Sequence, residues 1–438
     1  MVGGLHRSRA CVVPLLLALA VLLAVASAGG CARRAALVEQ AKVEALAERL
    51  KAAEGLKSEV VLVPTGGGGN ANGGDAGERW APTARVFVER LELADERARD
   101  AADAGASLSA TQLEVAQPAA GSSPAPRPAA GTIVFIHGVF ADGVSWRFVT
   151  GDLAHDAERL LLIDLLGCGR SDAPDPDDLG PYGYSPSSQA RRVLEALRAT
   201  LPARASLAEQ GSPAGGGPPP ADVVLVGHSY GAAVVLRMWG DDRLRGQYAD
   251  VLSRVDRVVL LSPVDLHVHA PDPRMARLAR VNGFDIFFLQ RTGLLRRIVE
   301  EQTVGSAPEG TEPLVEEAAK RLEFLTEPAK RRALQAMLMQ IGTIGPDLRP
   351  DWRAVERVER GYARVTPPVL VLHGSRDEVT PLAGAYKLAG ELPRARLVVM
   401  EGAAHSPQIE RPEETVLWLR RFIDGGLDAL PSRARGWE

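Results

Sequence analysis

The chain has 438 residues, of which 46% are hydrophobic and 24% are charged. This is the composition of a folded globular protein, and it excludes wholesale disorder and a polytopic membrane protein. The 51 basic and 55 acidic residues give a formal net charge of −4, so the chain lacks the basic footprint of a nucleic-acid-binding protein. Three cysteines are too few for a disulfide scaffold. The length allows two or three domains, or one large domain with additions.

Residues 1–30 have the three-part pattern of a secretory signal. Arg7 and Arg9 precede an uninterrupted apolar run at residues 11–25, and Ala26-Ser27-Ala28 then supplies the small residues of a cleavage site. The run is short for a membrane span, which needs about 20 apolar residues. Including the small residues up to position 28 makes the length borderline, so an uncleaved anchor stays open.

Cys31 allows a further interpretation of the same segment. Ala28-Gly29-Gly30-Cys31 resembles a bacterial lipobox, in which the cysteine becomes the lipidated N-terminus, except that Ala28 stands where that pattern prefers Leu. Lipidation at Cys31, ordinary cleavage after Ala28 and an uncleaved anchor all place the mature chain outside the cytoplasm. It is then secreted, periplasmic or attached to the membrane through its N-terminus. Loss of residues 1–30 removes two arginines and no acid, which changes the net charge from −4 to −6.

The rest of the chain divides into five parts by composition and periodicity. Residues 31–82 combine a helical pattern with a Gly-rich linker at 65–77. Two core parts, 83–265 and 366–427, flank a mostly helical block at 266–365. Residues 428–438 form a tail.

Short apolar runs in the two core parts predict β-strands buried on both faces. The predicted strands are 86–93, 108–115, 132–136, 159–163, 222–226, 257–261, 368–372 and 396–400. Helical patterns lie between them at 187–200, 231–239, 383–392 and 413–423. This alternation predicts an α/β fold with a mostly parallel sheet. The inserted block adds predicted helices at 275–281, 313–325, 328–339 and 352–358.

One predicted strand runs into Gly227-His228-Ser229-Tyr230-Gly231, a G-x-S-x-G motif that is followed by a helical pattern. This strand–turn–helix context is the one that the motif requires to hold a nucleophile. A serine on a strained turn needs neighbours without side chains, and Gly227 and Gly231 provide them. The motif, with His228 beside the serine, predicts Ser229 as the nucleophile.

A serine nucleophile needs a base and an acid, which follow it here in the chain order Ser, acid, His. Asp377 and His405 come directly after the last two predicted strands. His405 is expected to take the proton of Ser229 and to return one to the leaving group, while Asp377 fixes the imidazole tautomer. Glu378 and Asp265 are the rival acids, and Asp265 is retained as an alternative because it also follows a strand.

Two backbone N–H groups are expected to hold the oxyanion of the tetrahedral intermediate. The first is that of Tyr230, directly after the nucleophile. The second is expected in the loop His137-Gly138-Val139-Phe140 that follows an earlier strand. Gly138 lets the backbone approach closely and leaves Val139 or Phe140 as the donor, of which Val139 is preferred. Such donors are commonly worth about 3 kcal/mol each.

These motifs resemble the α/β-hydrolase fold superfamily, in its serine-nucleophile branch with a helical cap. The resemblance covers residues 83–427 and includes, besides the Ser229 motif and its partners, the segment DLLGCGRSD at 164–172. It implies an eight-stranded, mostly parallel sheet flanked by helices, with the cap inserted between strands six and seven. A serine at position 229 argues against haloalkane dehalogenases and epoxide hydrolases, whose relatives use Asp there.

Two features of the helical block lie outside these motifs. His267 and His269 raise the question of a metal site, but no Cys is near and Asp265 is the only local acid, so a polar wall of the cap entrance is favoured and no metal is expected. An aromatic–aliphatic cluster predicts buried cap core, with the lining of an acyl pocket as the alternative. Its members are Phe284, Phe287, Phe288 and Leu289.

The sequence therefore predicts an esterase- or lipase-like serine hydrolase. It is expected to cleave a small-molecule carboxylic ester through an acyl-enzyme intermediate, without a metal or organic cofactor. Thioester or amide hydrolysis, carbon–carbon bond hydrolysis and cofactor-free peroxidation use the same triad and stay open. A non-catalytic envelope protein that uses the scaffold for binding is the non-enzyme alternative. The substrate, its acyl chain length and the oligomeric state do not follow from the sequence.

Overall fold

The computed structural model describes residues 56–64, 83–92, 130–202, 221–264, 281, 283–304, 313–341 and 351–431. These residues fall within one compact unit, Gly55–Glu438. The predicted signal at 1–30, Cys31 and the predicted strand at 108–115 lie outside the described residues. Within the described ranges, no helix is long and apolar enough to cross a membrane.

The centre of the fold is an eight-stranded, mostly parallel sheet. In chain order its strands are β1 Leu56–Pro64, β2 Thr83–Glu92, β3 Ala130–Ile136, β4 Ala157–Asp164, β5 Ala221–His228, β6 Val255–Leu261, β7 Val369–Gly374 and β8 Ala395–Met400. Their spatial order is β1-β2-β4-β3-β5-β6-β7-β8. β2 pairs antiparallel with both of its neighbours, and the pairs from β4 to β8 are parallel. The carboxyl ends of β3 to β8 therefore share one edge, where an α/β sheet places its functional loops.

Helices connect the parallel strands and cover the sheet. They are α1 Arg147–Leu153, α2 Pro176–Leu179, α3 Pro186–Thr200, α4 Tyr230–Gly240, α5 Asp242–Gln247, α6 Ala249–Leu252, α7 Gly283–Arg291, α8 Leu294–Val304, α9 Pro313–Thr326, α10 Pro328–Met339, α11 Trp352–Tyr362, α12 Leu382–Glu391, α13 Pro407–Glu410 and α14 Pro412–Gly425. Two 3₁₀ helices, Gly143–Trp146 and Gly426–Ala429, complete the set among the described residues.

The central strands are apolar throughout because both of their faces are buried. On β3, Ile133 and Phe135 pack on the side covered by α1 and α14, whereas Val134 and Ile136 pack on the side covered by α3 and α4. Successive residues of a strand point to opposite faces, so a strand covered on both sides has no polar alternation. This is the reason why the six parallel strands were predictable from short apolar runs.

The first strand corrects the prediction for residues 31–82, which expected only a helix and a linker there. β1 (Leu56–Pro64) occupies part of that range and pairs with β2 over its whole length without a register shift. β1 is an edge strand, and an edge strand tolerates polar residues because it has a partner on one side only. Its apolar run at residues 60–63 is as long as the run of β5 at 223–226, but it directly follows Lys57, Ser58 and Glu59, which continue the helical composition before it.

The helical block also has a different boundary from the predicted 266–365. Helices α7 to α10 form the cap, between β6 and β7, but α11 packs on the core helix α4. Gly361 of α11 and Gly240 of α4 are so close that a Cβ added to Gly361 would lie 2.9 Å from the Gly240 Cα. Arg364 Nη1, just beyond α11, lies 2.8 Å from Asp242 Oδ1 of α5. The second core part thus begins at α11.

The predicted aromatic core of the cap is wrong for its three phenylalanines. Phe284, Phe287 and Phe288 are 76%, 62% and 44% exposed, and the side chain of α7 that is buried is Ile286. The cap core instead consists of Ile286 together with apolar side chains of α8 to α10, among them Leu295, Val299, Phe324, Leu325, Leu334 and Met337.

Candidate active site

Ser229 stands at the sharp turn between β5 and α4. Its backbone has φ 52° and ψ −115°, in the region that a residue with a side chain rarely adopts. The turn is held by the Ser229 N–H, which donates to Leu261 O at 2.9 Å, and by the Val264 N–H, which donates to Ser229 O at 3.2 Å. The strained turn lifts the hydroxyl off the sheet edge, and the amino end of the α4 helix dipole points at it.

The glycines of the motif are required because backbone segments crowd the turn. A Cβ on Gly231 would lie 2.3 Å from Ile136 O, and a Cβ on Gly227 would lie 2.8 Å from Gly231 O. Gly138 is equally restricted, since its Cβ would lie 2.9 Å from Ser229 Cβ. Because these three residues have no side chain, the end of β3 can pass directly beside Ser229.

The structure brings Ser229, His405 and Asp377 into one hydrogen-bonded line. Ser229 Oγ lies 3.0 Å from His405 Nε2, and His405 Nδ1 lies 2.9 Å from Asp377 Oδ2 and 3.1 Å from Oδ1. In this arrangement Nδ1–H donates to the carboxylate and Nε2 accepts from the hydroxyl. Ser229 is 3% exposed and Asp377 is 7% exposed, so both ends of the line are shielded from water, while the His405 side chain between them is partly exposed. A buried base–hydroxyl pair with an oriented imidazole is the arrangement that activates a serine.

Asp377 is fixed by its own loop. Its Oδ1 accepts the N–H groups of Val379 at 2.9 Å and Thr380 at 2.8 Å, and its Oδ2 accepts the Thr380 hydroxyl at 2.7 Å. Burial alone would raise the pKa of Asp377, but the charge and hydrogen bond of His405 and these donors hold that pKa well below its usual value. Asp377 therefore stays an anion and can stabilise an imidazolium at His405.

The loop that carries His405 is held from two sides. The carboxylate of Glu410, on α13, accepts the N–H of Ala404 at 2.5 Å and the N–H of Ser406 at 2.8 Å. His228 Nε2–H donates to the His405 carbonyl at 2.8 Å. His405 is thus positioned through the N–H groups of its two neighbours, which Glu410 binds, and through its own carbonyl, which His228 binds.

His137 orders the predicted oxyanion loop. Its Nε2 accepts the N–H of Leu165 at 2.9 Å, which leaves the proton on Nδ1, and Nδ1–H donates to Gly138 O at 2.7 Å. No peptide bond of the described chain is cis. In a trans peptide the C=O and the following N–H point in opposite directions, so the Val139 N–H points away from the His137 ring. Phe140, the next residue, has a left-handed φ of 61°.

The N–H of Tyr230 is the other predicted oxyanion donor. Tyr230 is the first residue of α4, and the first N–H groups of a helix have no partner within the helix. Its hydroxyl is used elsewhere, because it donates to Tyr184 O at 2.6 Å. The backbone donor is therefore the only part of Tyr230 that can act at the site.

Three buried histidines at the ends of strands donate to the backbone near the site: His137 directly after β3, His228 at the end of β5 and His373 on β7. The third of these, His373, donates from Nε2 to Thr380 O at 2.7 Å and so supports the loop of Asp377. Burial lowers the pKa of His137 and of His373, and burial together with the charge of His405 lowers the pKa of His228 to about 3. All three imidazoles therefore stay neutral near pH 7 and act as fixed donors.

The cap is attached to the core beside the oxyanion loop. Lys320 Nζ of α9 lies 3.0 Å from Asp142 Oδ1, and the rings of Phe324 and Phe140 meet edge to face with centroids 6.3 Å apart. Burial would raise the pKa of Asp142, but the charge and hydrogen bond of Lys320 hold it below the usual value. These contacts place α9 over the loop that carries Val139.

The other candidates of the sequence are Asp265, Glu378, His267 and His269. Asp265, His267 and His269 lie outside the described residues, while Glu378 is exposed. Cys168 is buried, and burial raises the pKa of its thiol well above the usual value, so it is not a reactive thiolate. Among the residues that the structure describes, no group of three His, Cys, Asp or Glu side chains could hold a metal ion.

Comparison with known families agrees with this geometry. A model of the alpha/beta hydrolase family matches residues 133–416, which include β3, the Ser229 turn, Asp377 and His405. The chain belongs to this family.

Relatives of this alpha/beta hydrolase are known by sequence and by structure. An uncharacterised protein of Mycobacterium tuberculosis (strain H37Rv) is 27% identical over 319 residues, covering 70% of this chain and 76% of that protein. A pimeloyl-[acyl-carrier protein] methyl ester esterase of Aromatoleum aromaticum is 28% identical over 276 residues, covering 58% of this chain and 99% of the esterase. The crystal structure of a membrane phospholipase A has a TM-score of 0.50 at 18% identity and covers 94% of this chain and 98% of its own. The structural likeness concerns the fold.

Sequence reasoning missed the residues that support the triad of this hydrolase. Thr380 follows Asp377 by three residues, and an Asp side chain that accepts N–H groups two and three residues ahead forms a local turn. That local signal could have pointed to Thr380. No comparable signal exists for Glu410 or for the pair of Lys320 and Asp142, because their partners are brought together by the fold.

Proposed function

We propose that this alpha/beta hydrolase is a serine esterase, which cleaves a carboxylic ester through an acyl-enzyme intermediate. The observation that carries the proposal is the line from Ser229 Oγ to His405 Nε2 at 3.0 Å and from His405 Nδ1 to Asp377 at 2.9 Å. The esterase from Aromatoleum aromaticum, which is 28% identical to this chain, supports the choice of an ester as substrate.

The proposed chemistry proceeds in two halves. Ser229 Oγ attacks the ester carbonyl while His405 Nε2 takes its proton, and the resulting oxyanion accepts the N–H groups of Tyr230 and Val139. The intermediate collapses, the ester C–O bond breaks, and His405 gives its proton to the departing alcohol. Water then attacks the acyl-enzyme with His405 as the base, which releases the carboxylic acid and restores Ser229. Asp377 stabilises the imidazolium in both halves.

Reaction with a fluorophosphonate probe tests the nucleophile. We expect labelling of the wild type and no labelling of Ser229→Ala, because the probe reacts only with an activated serine. Ser253→Ala is the matched control, since Ser253 is exposed and lies outside the site. Folded wild-type protein that resists the probe would identify a scaffold used for binding only.

The bond that is cleaved is tested with a graded substrate panel. We expect turnover of p-nitrophenyl esters, with a chain-length optimum that reports the depth of the acyl pocket. Turnover of thioesters, amides or a carbon–carbon substrate, without turnover of any oxygen ester, would assign the triad to one of those reactions. Consumption of hydrogen peroxide in the presence of a carboxylic acid, which would form a peracid and water, without turnover of any ester would indicate peroxidation.

We also propose that the protein works outside the cytoplasm, with residues 1–30 as its export signal. The support is the sequence alone: the two arginines, the apolar run at 11–25 and the small residues before Cys31. Palmitate incorporation that is lost in Cys31→Ser indicates lipidation, whereas a mature N-terminus after Ala28 without palmitate indicates ordinary cleavage. Recovery of the protein in the cytoplasm with residues 1–30 intact would contradict the proposal.

A further inference from the structure

The cap helix α7 exposes an aromatic stripe on the outside of the protein. Phe284, Phe287 and Phe288 are spaced i, i+3 and i+4, so they lie on one face of the helix. They are 76%, 62% and 44% exposed. Ile286, at 3% exposure, points the other way and attaches α7 to the cap. We call the three phenylalanines and Arg291 at i+7 the α7 stripe.

The size of this stripe is that of a binding surface. A phenylalanine side chain offers roughly 150–250 Å² to a partner, so the three exposed fractions amount to roughly 300–450 Å² of aromatic area on one helix face. Single exposed apolar residues are common, whereas a contiguous apolar patch of a few hundred Å² is about the largest that a typical monomer exposes and is often a functional surface. The exposed aromatic rings lie on one face of the helix, and Ile286 on the opposite face is packed.

Three arginines lie beside the stripe, at the end of α7 and the start of α8. Arg291 ends α7, and Arg296 and Arg297 lie in the first turn of α8 on the other side of a two-residue turn, and all three are exposed. Asp285 is the one acid of α7 and is exposed as well, and α8 carries Glu300 and Glu301 one turn after its arginines. Exposed phenylalanines followed by a group of arginines are the composition of helices that lie in a membrane interface, where guanidinium groups meet anionic headgroups.

The position of α7 connects this surface to the active site. α7 packs against α8 and α9, on the outer side of the cap. α9 in turn contacts the oxyanion loop through the pair of Lys320 with Asp142 and through Phe324 with Phe140. A partner that binds to α7 is therefore separated from Ser229 by one layer of cap helices.

We propose that the α7 stripe docks onto a phospholipid membrane with anionic headgroups, with the helix in the plane of the interface. The three phenylalanines enter the acyl boundary and the arginines bind lipid phosphates. Docking presents the cap to an apolar ester in the membrane, so this inference rests on the proposed esterase function. It extends that function to a substrate class, namely esters dissolved in a lipid surface.

The test compares two substrates with the full chain. The Phe284→Ser, Phe287→Ser, Phe288→Ser triple variant is expected to hydrolyse p-nitrophenyl acetate in solution at the wild-type rate. On p-nitrophenyl laurate carried in phosphatidylglycerol vesicles, it is expected to be at least tenfold slower. The matched control is Trp352→Ser, Leu417→Ser, which removes apolar side chains of 60% and 45% exposure elsewhere. It is expected to leave both rates unchanged.

A second measurement detects docking independently of enzymatic activity and of lipidation at the N-terminus. In a Cys11→Ser, Cys31→Ser background, which cannot be lipidated, an environment-sensitive fluorophore is attached at Phe287→Cys or, as control, at Leu417→Cys. We expect a blue shift on phosphatidylglycerol vesicles for position 287 only, and a smaller shift on phosphatidylcholine vesicles. Arg291→Gln with Arg297→Gln is expected to weaken the response to phosphatidylglycerol.

Equal rates of wild type and triple variant on vesicle-borne ester, without a shift at position 287, would overturn the proposal. A molecular mass by light scattering that falls from dimer to monomer in the triple variant, again without a vesicle response, would assign the stripe to a second copy of the chain. Failure of the esterase function is recognised separately. In that case p-nitrophenyl acetate is not hydrolysed, while the fluorophore still reports whether α7 docks.

Discussion

Replacement of Thr380 by Val tests whether the orientation of Asp377 limits the chemical step. The substitution keeps the shape of the side chain and removes the hydroxyl that donates to Asp377 Oδ2 at 2.7 Å. The two backbone N–H groups hold Oδ1 only, so Oδ2 keeps His405 Nδ1 at 2.9 Å as its one remaining close donor, with His373 Nε2 farther away at 3.5 Å. Thr380 is 8% exposed, and water is therefore a poor substitute for the lost hydroxyl.

The size of the effect follows from the type of hydrogen bond. A hydrogen bond to a charged group is worth about 1.5–3 kcal/mol, and about 1.4 kcal/mol corresponds to a factor of ten in rate. We expect kcat of Thr380→Val to fall by about tenfold to a hundredfold, with KM within twofold. The rates are measured on a soluble p-nitrophenyl ester, with thermal unfolding in parallel to verify that the variant is folded.

Thr380→Ser is the matched control because it restores the hydroxyl and lacks only the methyl group. We expect it to recover most of kcat. The reasoning is refuted if folded Thr380→Val keeps kcat within twofold of the wild type. It is equally refuted if Thr380→Ser loses as much as Thr380→Val, since the methyl contact would then be the important one.

Three further predictions concern the groups around the triad. Because the pKa of His228 falls to about 3 in the folded protein, from about 6.5 unfolded, the unfolded chain binds the extra proton first as pH falls. Between pH 7.5 and pH 5, the free energy of unfolding, measured with urea, should therefore fall by about 2 kcal/mol more for the wild type than for His228→Gln. Equal decreases in the two proteins would contradict this. Lys320→Met leaves Asp142 without its cation and should lower the free energy of unfolding by about 1–3 kcal/mol. The double variant with Asp142→Asn should regain part of this loss, because the unpaired carboxylate is then removed as well. Gly231→Ala places a Cβ 2.3 Å from a backbone oxygen of β3 and should lose fluorophosphonate labelling, whereas Gly246→Ala, in open space, should label as the wild type does.

The parts of the site that the sequence revealed are those encoded within a few residues. The Ser229 turn carries its own glycines, and Asp377 and His405 come directly after apolar strands. Parallel strands end at the same sheet edge, so three residues that are far apart in the chain are expected to meet. The distances could not be predicted in this way, because they depend on loops such as that of Glu410, which reaches back to two N–H groups beside His405.

The differences from the sequence prediction have a common physical cause. α7 is apolar on more than one face, so periodicity alone does not say whether Ile286 or the phenylalanines face the core. β1 has polar residues because it is an edge strand, and a composition rich in Glu and Lys just before it favoured a helix. In both cases the surroundings of the segment determine its structure, and these surroundings are formed by residues that are distant in the sequence.

Mass spectrometry of the acyl-enzyme tests the central claim most directly. The protein is mixed with a p-nitrophenyl ester, quenched in acid within the first turnovers, and digested. We predict that the mass of one acyl group appears on the peptide that contains Ser229, accompanied by a burst of one equivalent of p-nitrophenol. Ser229→Ala should show neither. Turnover of the ester with an unmodified Ser229, or an acyl group on another residue, would contradict the mechanism.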